Sequence, residues 1–365
     1  MIGNDVKLSI PPISHHQEYP FRMKKRSTIS EIARAAGVGT ATVDRVLNDR
    51  GNVRDDTKRK VYDAAVSVGY HAVPLLRERL QSNLPVRKLG LLLQKENQEF
   101  YQSFAQAFED HVLTCPEIRG RAEVVFAKSQ DPHEHASLMA ELGRRNHAIA
   151  ATAVNHPEVS RTVQDLQEHD TPVFSLLNDF GQGQTHAYVG LDNMKIGRIA
   201  GWAIRSVARR QGKIAVFVGG SRWHGHELRE TGFRSYLREH SAHHELLETL
   251  VNLETRNVTY EATLDLLHRH PDLSGIFVAG GGMEGAIQAV RECRAPGEVA
   301  MVVNELTRQS QGALQDGYVS LISSTPLQRL CKTLVQAMAQ AVSDSATGEP
   351  RQIFLQPEIY VPESL

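Results

Sequence analysis

The fold of the N-terminal region is decided by residues 28–48, which read Thr28-Ile-Ser-Glu-Ile-Ala-Arg-Ala-Ala-Gly-Val-Gly-Thr-Ala-Thr-Val-Asp-Arg-Val-Leu-Asn48. Thr28 followed by Glu31 predicts a capped first helix, and Gly37 predicts its end, because glycine readily adopts the left-handed conformation that closes helices. Thr40 is expected to cap a second helix. The stretch therefore predicts two short helices joined by a tight turn, the shape that carries a helix into the DNA major groove.

A third helix is expected from about Asp55 to the pair Gly69-Tyr70, with Val61, Ala64 and Ala65 on its buried side. Three helices in so few residues form a minimal core. The alternative interpretation is a small helical bundle with a solvated basic surface, since helix–turn–helix patterns also arise by chance in helical proteins.

The distribution of charge favours the DNA-binding interpretation. Residues 22–88 contain fifteen Lys or Arg and seven Asp or Glu, which gives about +8, whereas the remainder contains 26 basic and 35 acidic residues, which gives about −9. A net charge of −1 therefore conceals a basic N-terminal region on an acidic chain. This asymmetry is expected when only one end of a protein neutralises phosphate, although charge alone does not indicate sequence specificity.

The composition is that of a globular chain, with 41% hydrophobic and 23% charged residues among 365. Residues 1–24 are expected to form a disordered tail without a secretory signal, and translation from Met1 or from Met23 remains open. The cysteines, Cys115, Cys293 and Cys331, are odd in number, widely separated and in no metal-binding spacing. These features predict a reducing, cytoplasmic location.

Apolar runs alternate with amphipathic stretches beyond residue 86. Strands are expected at 88–93, 122–127, 148–154, 172–177, 213–218, 245–251, 275–279, 298–303 and 319–323. Helices are expected at 100–112, 132–145, 157–168, 193–209, 227–240, 257–269, 283–293 and 326–343. Such alternation builds parallel sheets, and the strands are too many for one sheet, so we expect two doubly wound subdomains. Their ligand is expected in the cleft beyond the carboxyl ends of the strands.

This order of elements resembles the lactose-repressor family of bacterial transcription regulators from Thr28 to about Pro357. The run from Ile32 to Asn48, with Val53 and the pair Gly69-Tyr70, is close to the DNA-binding signature of that family. The resemblance implies an all-α helix–turn–helix domain followed by an α/β region with two doubly wound parallel-sheet subdomains of the periplasmic sugar-binding type. It further implies a repressor that acts as a homodimer, with a tetramer left open, on double-stranded operator DNA.

The domain boundaries expected from these patterns are a helix–turn–helix domain at 25–72, a hinge or linker at 73–86, and a two-lobed effector-binding and dimerisation domain at 87–365. Family effectors are mostly sugars, polyols or sugar phosphates. An effector shifts operator affinity only by preferring one conformation, so the sequence allows both an inducer and a corepressor.

The resemblance places Thr40 and Ala41 at the start of the recognition helix, with Arg45 one turn further along the same outward face as Asp44. A bidentate contact from arginine to guanine discriminates between bases by about 1–3 kcal/mol. The alternative is a surface arginine paired with Asp44 or Asp49. Residues suited to positioning the DNA backbone, without reading sequence, are Thr28, Thr42, Asn48, Thr57 and Lys58.

The linker departs from the family pattern. Members commonly carry a proline two residues after the tyrosine, and later a leucine that inserts into the minor groove from a hinge helix. Here Pro74 is displaced, and Arg79 occupies the expected leucine position. Either Leu80 inserts after a shift of one residue, or this protein bends its operator differently. Leu75, Leu76 and Leu80 are alternatively the buried side of a helix packed against the C-terminal domain.

Candidate effector ligands follow the predicted strands or match family positions. An aromatic ring stacks on the apolar face of a sugar, while amides and charged groups hold its hydroxyls. Residues placed after strand ends are Gln94 with Lys95 beside it, Phe100, Tyr101, Asn155, Asn178 and Asp179. Residues placed by the resemblance are Arg229, Asn304 with Glu305 beside it, and Gln328 near the return crossover. For each of them the alternative is a cap or turn residue that faces water.

A second departure is the run Gly280-Gly281-Gly282, where relatives commonly carry Asn-Asp. Gly280 is therefore a candidate for a roomier cavity, or for phosphate binding through backbone N–H groups near a helix start. The alternative is a flexible turn.

No enzyme, cofactor or metal site is predicted. Pairs such as His133/His135 and His224/His226 lack a recognised third ligand, and no nucleophile elbow or phosphate-binding loop is visible. The competing classes are a periplasmic-type sugar-binding protein, a sugar-acting enzyme and a non-specific DNA binder.

Overall fold

The computed structural model describes residues 27–82, 84–181, 183–240, 244–343 and 351–365, so the expected N-terminal tail at 1–24 lies outside the described residues. The chain divides into two compact units, residues 1–82, called the head, and residues 83–365, called the body.

The head contains four helices within its described residues: α1 (Ile29–Ala36), α2 (Thr40–Leu47), α3 (Asp55–Ser67) and α4 (Val73–Gln81). The cap predicted at Thr28 is present, since its hydroxyl accepts from Glu31 N at 3.3 Å and the Glu31 carboxylate accepts from Thr28 N at 2.8 Å. Gly37 ends α1 with φ of 66°. The prediction that Thr40 caps α2 is wrong, because Gly39 holds the cap position and no side chain bonds there.

The core of the head is small and apolar. It contains Ile32, Val43, Val46, Val61 and Ala65, each at most 5% exposed. The inward faces predicted for the first three helices therefore meet as expected.

Helix α4 occupies the segment that the sequence assigned to a linker. Leu76 on this helix is 2% exposed, and Leu80 packs against the same core. The Arg77 Nε donates to the Tyr62 hydroxyl at 2.9 Å, and Arg79 donates to the carbonyl of Leu47 at the end of α2. A hinge function for residues 73–86 and minor-groove insertion of Leu80 stay predictions, and insertion would require Leu80 to leave this core.

The first lobe of the body is a parallel sheet in the order β12-β5-β4-β3-β1-β2. Its strands are β1 (Val86–Gln94), β2 (Arg119–Ala127), β3 (Ala148–Ala151), β4 (Val173–Leu176), β5 (Ala187–Leu191) and β12 (Arg351–Leu355), and its helices are α5 (Glu99–Thr114), α6 (Pro132–Arg145), α7 (Pro157–Glu168) and α13 (Leu327–Ala341). Buried residues of α5 and α13 share one core with β1, β3, β4 and β5.

The second lobe is built on the order β13-β11-β10-β9-β6-β7, with β8 also paired to β6. Its strands are β6 (Lys213–Val218), β7 (Glu245–Leu246), β8 (Leu250–Val251), β9 (Leu273–Val278), β10 (Ala300–Asn304), β11 (Leu321–Ser324) and β13 (Glu358–Tyr360). Its helices are α8 (Asn193–Val207), α9 (His224–His240), α10 (Arg256–Arg269), α11 (Met283–Cys293) and α12 (Arg308–Gln315), and the described chain ends in a 3₁₀ turn at Pro362–Ser364.

The two predicted doubly wound subdomains are confirmed. The chain passes from the first lobe to the second after β5, returns after β11, and crosses again between β12 and β13. Strand β13 is antiparallel to β11, whereas the other described pairings are parallel. Because parallel strands end at the same edge of a sheet, the loops that carry function gather where the two lobes face each other.

Several boundaries differ from the sequence predictions. The single strand expected at 245–251 is two short strands, each paired to β6 over two residues. Strands β5, β12 and β13 and helix α12 were not predicted. They span three to eight residues, and β12 and β13 each leave one apolar residue exposed, Phe354 and Ile359, so their hydrophobic periodicity is too short to be recognised.

Candidate functional site

A cavity of about 640 Å³ lies between the two lobes of the body. This volume lies in the range of small-molecule sites. The first lobe contributes Lys95, Phe100, Tyr101, Thr152, Leu177 and Asn178, among others, and the second contributes Trp223, His226, Arg229, Glu254, Gly280, Gly281, Asn304 and Glu305. Six predicted effector ligands therefore line it: Phe100, Tyr101, Asn178, Arg229, Gly280 and Asn304.

The structure does not bring the other four predicted residues to the cavity. Gln94, the last residue of β1, is buried and donates to Thr152 O at 3.2 Å. Asp179 accepts from the Ser175 hydroxyl at 3.1 Å, and Gln328 contacts the His111 ring at 3.1 Å. The backbone N–H of Asn155 donates to Arg222 O at 2.9 Å. None of these four residues lines the cavity, and their role as effector ligands stays a prediction.

One wall of the cavity is aromatic. Phe100 and Tyr101 begin α5, directly after the loop that follows β1, and their ring centroids lie 5.2 Å apart in an edge-to-face arrangement. Burial raises the pKa of Tyr101 far above its usual range, so its hydroxyl stays neutral. Trp223 adds a third ring, whose Nε1 donates to the Gln130 side chain at 3.3 Å. Such rings suit an apolar ligand face.

Arg229 on α9 is the buried cation of the second lobe. Its Nε donates to Asn193 Oδ1 at 2.7 Å, and its Nη1 donates to Ala279 O at 2.8 Å. Burial lowers the pKa of Arg229, which nevertheless stays charged because arginine titrates so high. Within the described residues its Nη2 has no hydrogen-bond partner, so this nitrogen is available to a ligand oxygen.

The end of β10 supplies an amide and a carboxylate. Asn304 Nδ2 donates to Val278 O at 2.7 Å, which fixes the amide and leaves its oxygen as an acceptor. The carboxylate of Glu305 accepts from Thr325 N at 2.9 Å and from the hydroxyls of Thr325 and Ser324 at 2.7 and 3.2 Å. Burial raises the pKa of Glu305. The sequence indicated Asn304, and its neighbour adds a second polar group.

The sequence did not identify Glu254, which lies in the loop between β8 and α10. Its Oε2 lies 2.9 Å from Lys95 Nζ across the cleft and 3.3 Å from Gln130 Nε2, while its Oε1 accepts from Gly281 N at 3.2 Å. The charge of Lys95 and these hydrogen bonds outweigh burial and lower the pKa of Glu254, so it is a carboxylate. Lys95 follows β1, and its position after a predicted strand was the only available signal.

The glycine run makes room for the side chains of this chain. A Cβ on Gly280 would lie 2.4 Å from His226 Cε1, and one on Gly281 would lie 3.0 Å from Glu254 Cβ. A Cβ on Gly219 would lie 2.5 Å from Glu254 Cγ. The prediction that the glycine run enlarges the cavity is therefore wrong. His226 and Glu254 fill the space that the missing side chains leave.

His226 is neutral near pH 7. Its Nδ1 accepts from Gly219 N at 3.1 Å, which places the ring proton on Nε2, 3.6 Å from Glu254 Oε1. Burial lowers the pKa of His226 to about 4, and the positive charges of Arg229 and Lys95 oppose the raising effect of Glu254. The contact with Glu254 is therefore not an ion pair at neutral pH.

Acidification is expected to destabilise the body through His226. Between about pH 6.5 and about pH 4 the unfolded chain binds a proton at this residue that the folded chain does not, so the free energy of unfolding falls as pH falls. The contribution lost by pH 5 is about 2 kcal/mol. Urea unfolding of wild type and His226→Asn from pH 8 to 5 measures it.

The control for this measurement is His224→Asn, which changes an exposed ring in the first turn of the same helix. We expect His224→Asn to follow the wild-type pH profile and His226→Asn to be flatter by about 2 kcal/mol at pH 5. Equal slopes for the two variants would contradict a neutral, buried His226.

Six of the predicted DNA-contacting residues lie on α2 or directly after its last residue. Thr40, Ala41, Arg45 and Asn48 are exposed, while Thr42 and Asp44 are half-buried. Arg45 forms no ion pair with any described residue, because Asp44 instead accepts from Asn48 Nδ2 at 2.8 Å. The alternative of a surface arginine paired with Asp44 or Asp49 is therefore not observed.

The other residues predicted to contact phosphate occupy two places in the head. Thr28 is exposed at the start of α1, and its hydroxyl is engaged in the cap. Thr57 and Lys58 are half-buried in the first turns of α3, and Lys58 Nζ lies 3.3 Å from Asp55. Their phosphate contacts stay predictions.

Both units match models of known families. Residues 28–72 match the bacterial regulatory proteins of the lacI family, and residues 89–346 match a periplasmic binding protein domain. The HTH-type transcriptional regulator CelR of Thermobifida fusca is 27% identical over 353 residues, which cover 93% of this chain and 99% of that protein. The regulator RegA of Clostridium saccharobutylicum is 39% identical over 84 residues, which span 23% of this chain and 25% of that protein.

Among solved structures, GanP, a glucose-galactose binding protein from Geobacillus stearothermophilus, superposes with a TM-score of 0.68 at 16% identity, over 76% of this chain and 99% of that one. At this identity the likeness shows the fold alone.

The fold and the matches define a DNA-binding regulator with a two-lobed ligand-binding body. The chain carries a domain of the lacI family of bacterial regulatory proteins at residues 28–72, and it belongs to the family of periplasmic binding protein domains, whose model covers residues 89–346. The predicted family and fold class are thus confirmed. In the part of the chain that the structure describes, no helix is both long and apolar enough to cross a membrane.

Proposed function

We propose that this protein is a transcriptional repressor whose affinity for operator DNA is controlled by a small carbohydrate effector bound between the lobes of the body. The observation that carries the effector class is the combination of an aromatic wall with a buried arginine, an amide and carboxylates in one cavity of about 640 Å³. Rings cover the apolar face of a sugar, and the polar groups hold its hydroxyls. The repressor acts without catalysis, in the cytoplasm, as a homodimer on a near-palindromic operator.

Arg229, Asn304, Glu305 and Asn178 are the polar ligands that this proposal assigns, with Phe100 and Tyr101 as the stacking surface. The unpaired Nη2 of Arg229 and the free oxygen of Asn304 support the assignment, since they can donate to and accept from neighbouring hydroxyls. The effector changes operator affinity by preferring one arrangement of the lobes, and we propose that it is an inducer.

The test selects an operator from a random DNA library with the purified full chain and then measures binding to it with and without a panel of sugars and polyols. We expect at least one panel member to weaken operator binding at least fivefold, a coupling of about 1 kcal/mol, while it leaves non-specific binding unchanged. Operator binding that no carbohydrate changes, or chemical conversion of a panel member, would contradict the proposal and in the second case favour an enzyme.

A further inference from the structure

Glu254 places a negative charge inside the effector cavity, beside the run Gly280-Gly281-Gly282 at the start of α11. A helix start with exposed N–H groups is where an anionic ligand group would otherwise bind. Here Glu254 Oε1 accepts the Gly281 N–H at 3.2 Å, and Oε2 takes the ammonium of Lys95 at 2.9 Å. Two groups that could hold a phosphate, the Gly281 N–H and the Lys95 ammonium, are therefore already occupied by a carboxylate of the chain.

The loop holds Glu254 in this position. Its N–H donates to Asn252 Oδ1 at 2.9 Å, and Asn252 Nδ2 donates to Gly281 O at 2.8 Å, so Asn252 links the loop to the glycine run. Asn252 is 1% exposed, and Glu254 has a left-handed backbone with φ of 53°. Such a conformation persists only where the surroundings fix it. The backbone that carries the Glu254 carboxylate is thus held beside the glycine run.

The charges of the inner cavity are already balanced. Lys95 is neutralised by Glu254, and Arg229 faces Glu305 and Tyr101. A phosphate ester carries about −1.5 to −2 charges at pH 7, and it would enter a desolvated site next to a like charge. Because the pKa of Glu254 is lowered, its side chain is a carboxylate and repels the phosphate of an ester.

We infer that Glu254 is a specificity-determining residue that restricts the effector to uncharged sugars or polyols and excludes their phosphate esters. This inference rests on the proposed function, since it narrows the class of effector for the same cavity. Uncharged hydroxyls approach Glu254 and Lys95 as donors or acceptors, whereas a phosphate that binds Lys95 or the Gly281 N–H must displace the Glu254 carboxylate from that partner.

The experiment titrates the purified full chain by calorimetry with matched pairs of neutral sugars and their phosphate esters, including D-glucose, D-galactose, D-ribose and D-arabinose with their 1-phosphates and terminal phosphates. For every sugar that binds, we expect the phosphate esters to bind at least tenfold more weakly to wild type. In Glu254→Gln, Lys95 and Gly281 lose their anionic partner. We therefore expect the ratio of sugar affinity to ester affinity to shrink at least tenfold, because the ester binds more tightly.

The matched control is Glu248→Gln, which removes the same charge from an exposed residue between β7 and β8 that does not line the cavity. Solvent screens this charge, so we expect the affinity ratio of sugar to ester to stay within twofold of wild type. An ester that binds wild type as tightly as its parent sugar would overturn the inference, and so would an unchanged ratio in folded Glu254→Gln.

The ratio of sugar affinity to ester affinity in wild type tests the exclusion of phosphate esters even if Glu254→Gln does not fold. If esters bind wild type as tightly as their parent sugars, the proposed role of Glu254 is overturned, but the proposal of a carbohydrate effector is not. A panel in which neither sugars nor esters bind wild type or either variant overturns the carbohydrate effector itself, and the role of Glu254 with it.

Discussion

Replacement of Arg45 by alanine is expected to lower the ratio of operator to non-specific DNA affinity by about 5- to 150-fold, the range that corresponds to 1–3 kcal/mol. Arg45 is exposed on α2, and within the described residues no carboxylate neutralises it. A guanidinium in this position is free to contact a guanine edge through two hydrogen bonds. The measurement is fluorescence anisotropy on the selected operator and on a scrambled duplex at two salt concentrations.

The control for Arg45 is Arg59→Ala, which removes the same charge from an exposed position on α3. Loss of a charge that contacts only phosphate weakens binding to all sequences alike and reduces the salt dependence. We therefore expect Arg59→Ala to keep the wild-type specificity ratio. If Arg45→Ala keeps that ratio too, α2 does not read the operator through this residue.

Replacement of Arg229 by methionine is expected to lower the free energy of unfolding of the body by about 3–5 kcal/mol and to abolish the response to effector. The variant would leave Asn193 Oδ1 and Ala279 O without their donor, and it would remove the positive charge that faces buried Glu305. An unpaired buried polar group costs its full desolvation penalty. Urea unfolding and calorimetric titration with the effector measure the two effects.

Arg238→Met on the same helix α9 is the matched control. Arg238 is exposed, and its guanidinium donates to the Ser235 hydroxyl at 3.4 Å. Surface substitutions of this kind change the free energy of unfolding by about 0.5 kcal/mol or less. A similar cost for Arg229→Met and Arg238→Met would show that burial of the Arg229 guanidinium does not stabilise the cleft.

The sequence predicted what local chemistry determines. Thr28, Glu31 and Gly37 define α1 through contacts within a few residues, and the helices at Pro132–Arg145, Pro157–Glu168 and Met283–Cys293 have their predicted bounds. Residues at strand ends, such as Asn178 and Asn304, were placed correctly because parallel strands deliver their C-terminal ends to one edge.

The remainder depended on tertiary contacts. Glu254 follows β8, a strand of two residues that exists only through its pairing with β6, so no local pattern marks its position. Gln94 was misplaced because the pleat of β1 turns its side chain towards Thr152. The space for His226 comes from Gly280, which is distant in sequence. Contacts of this kind become visible only once the strands are assembled.

The packing of α4 has a consequence for the thermodynamics of operator recognition. Leu76 is buried in the head, and Arg77 and Arg79 tie the helix to α3 and α2. These nine residues of α4 lose their conformational entropy when the head folds. If a segment orders only when it contacts its partner, the entropy lost on ordering makes the free energy of binding less favourable. Helix α4 is therefore already ordered in the absence of DNA, and its folding entropy would not be subtracted from the affinity for an operator.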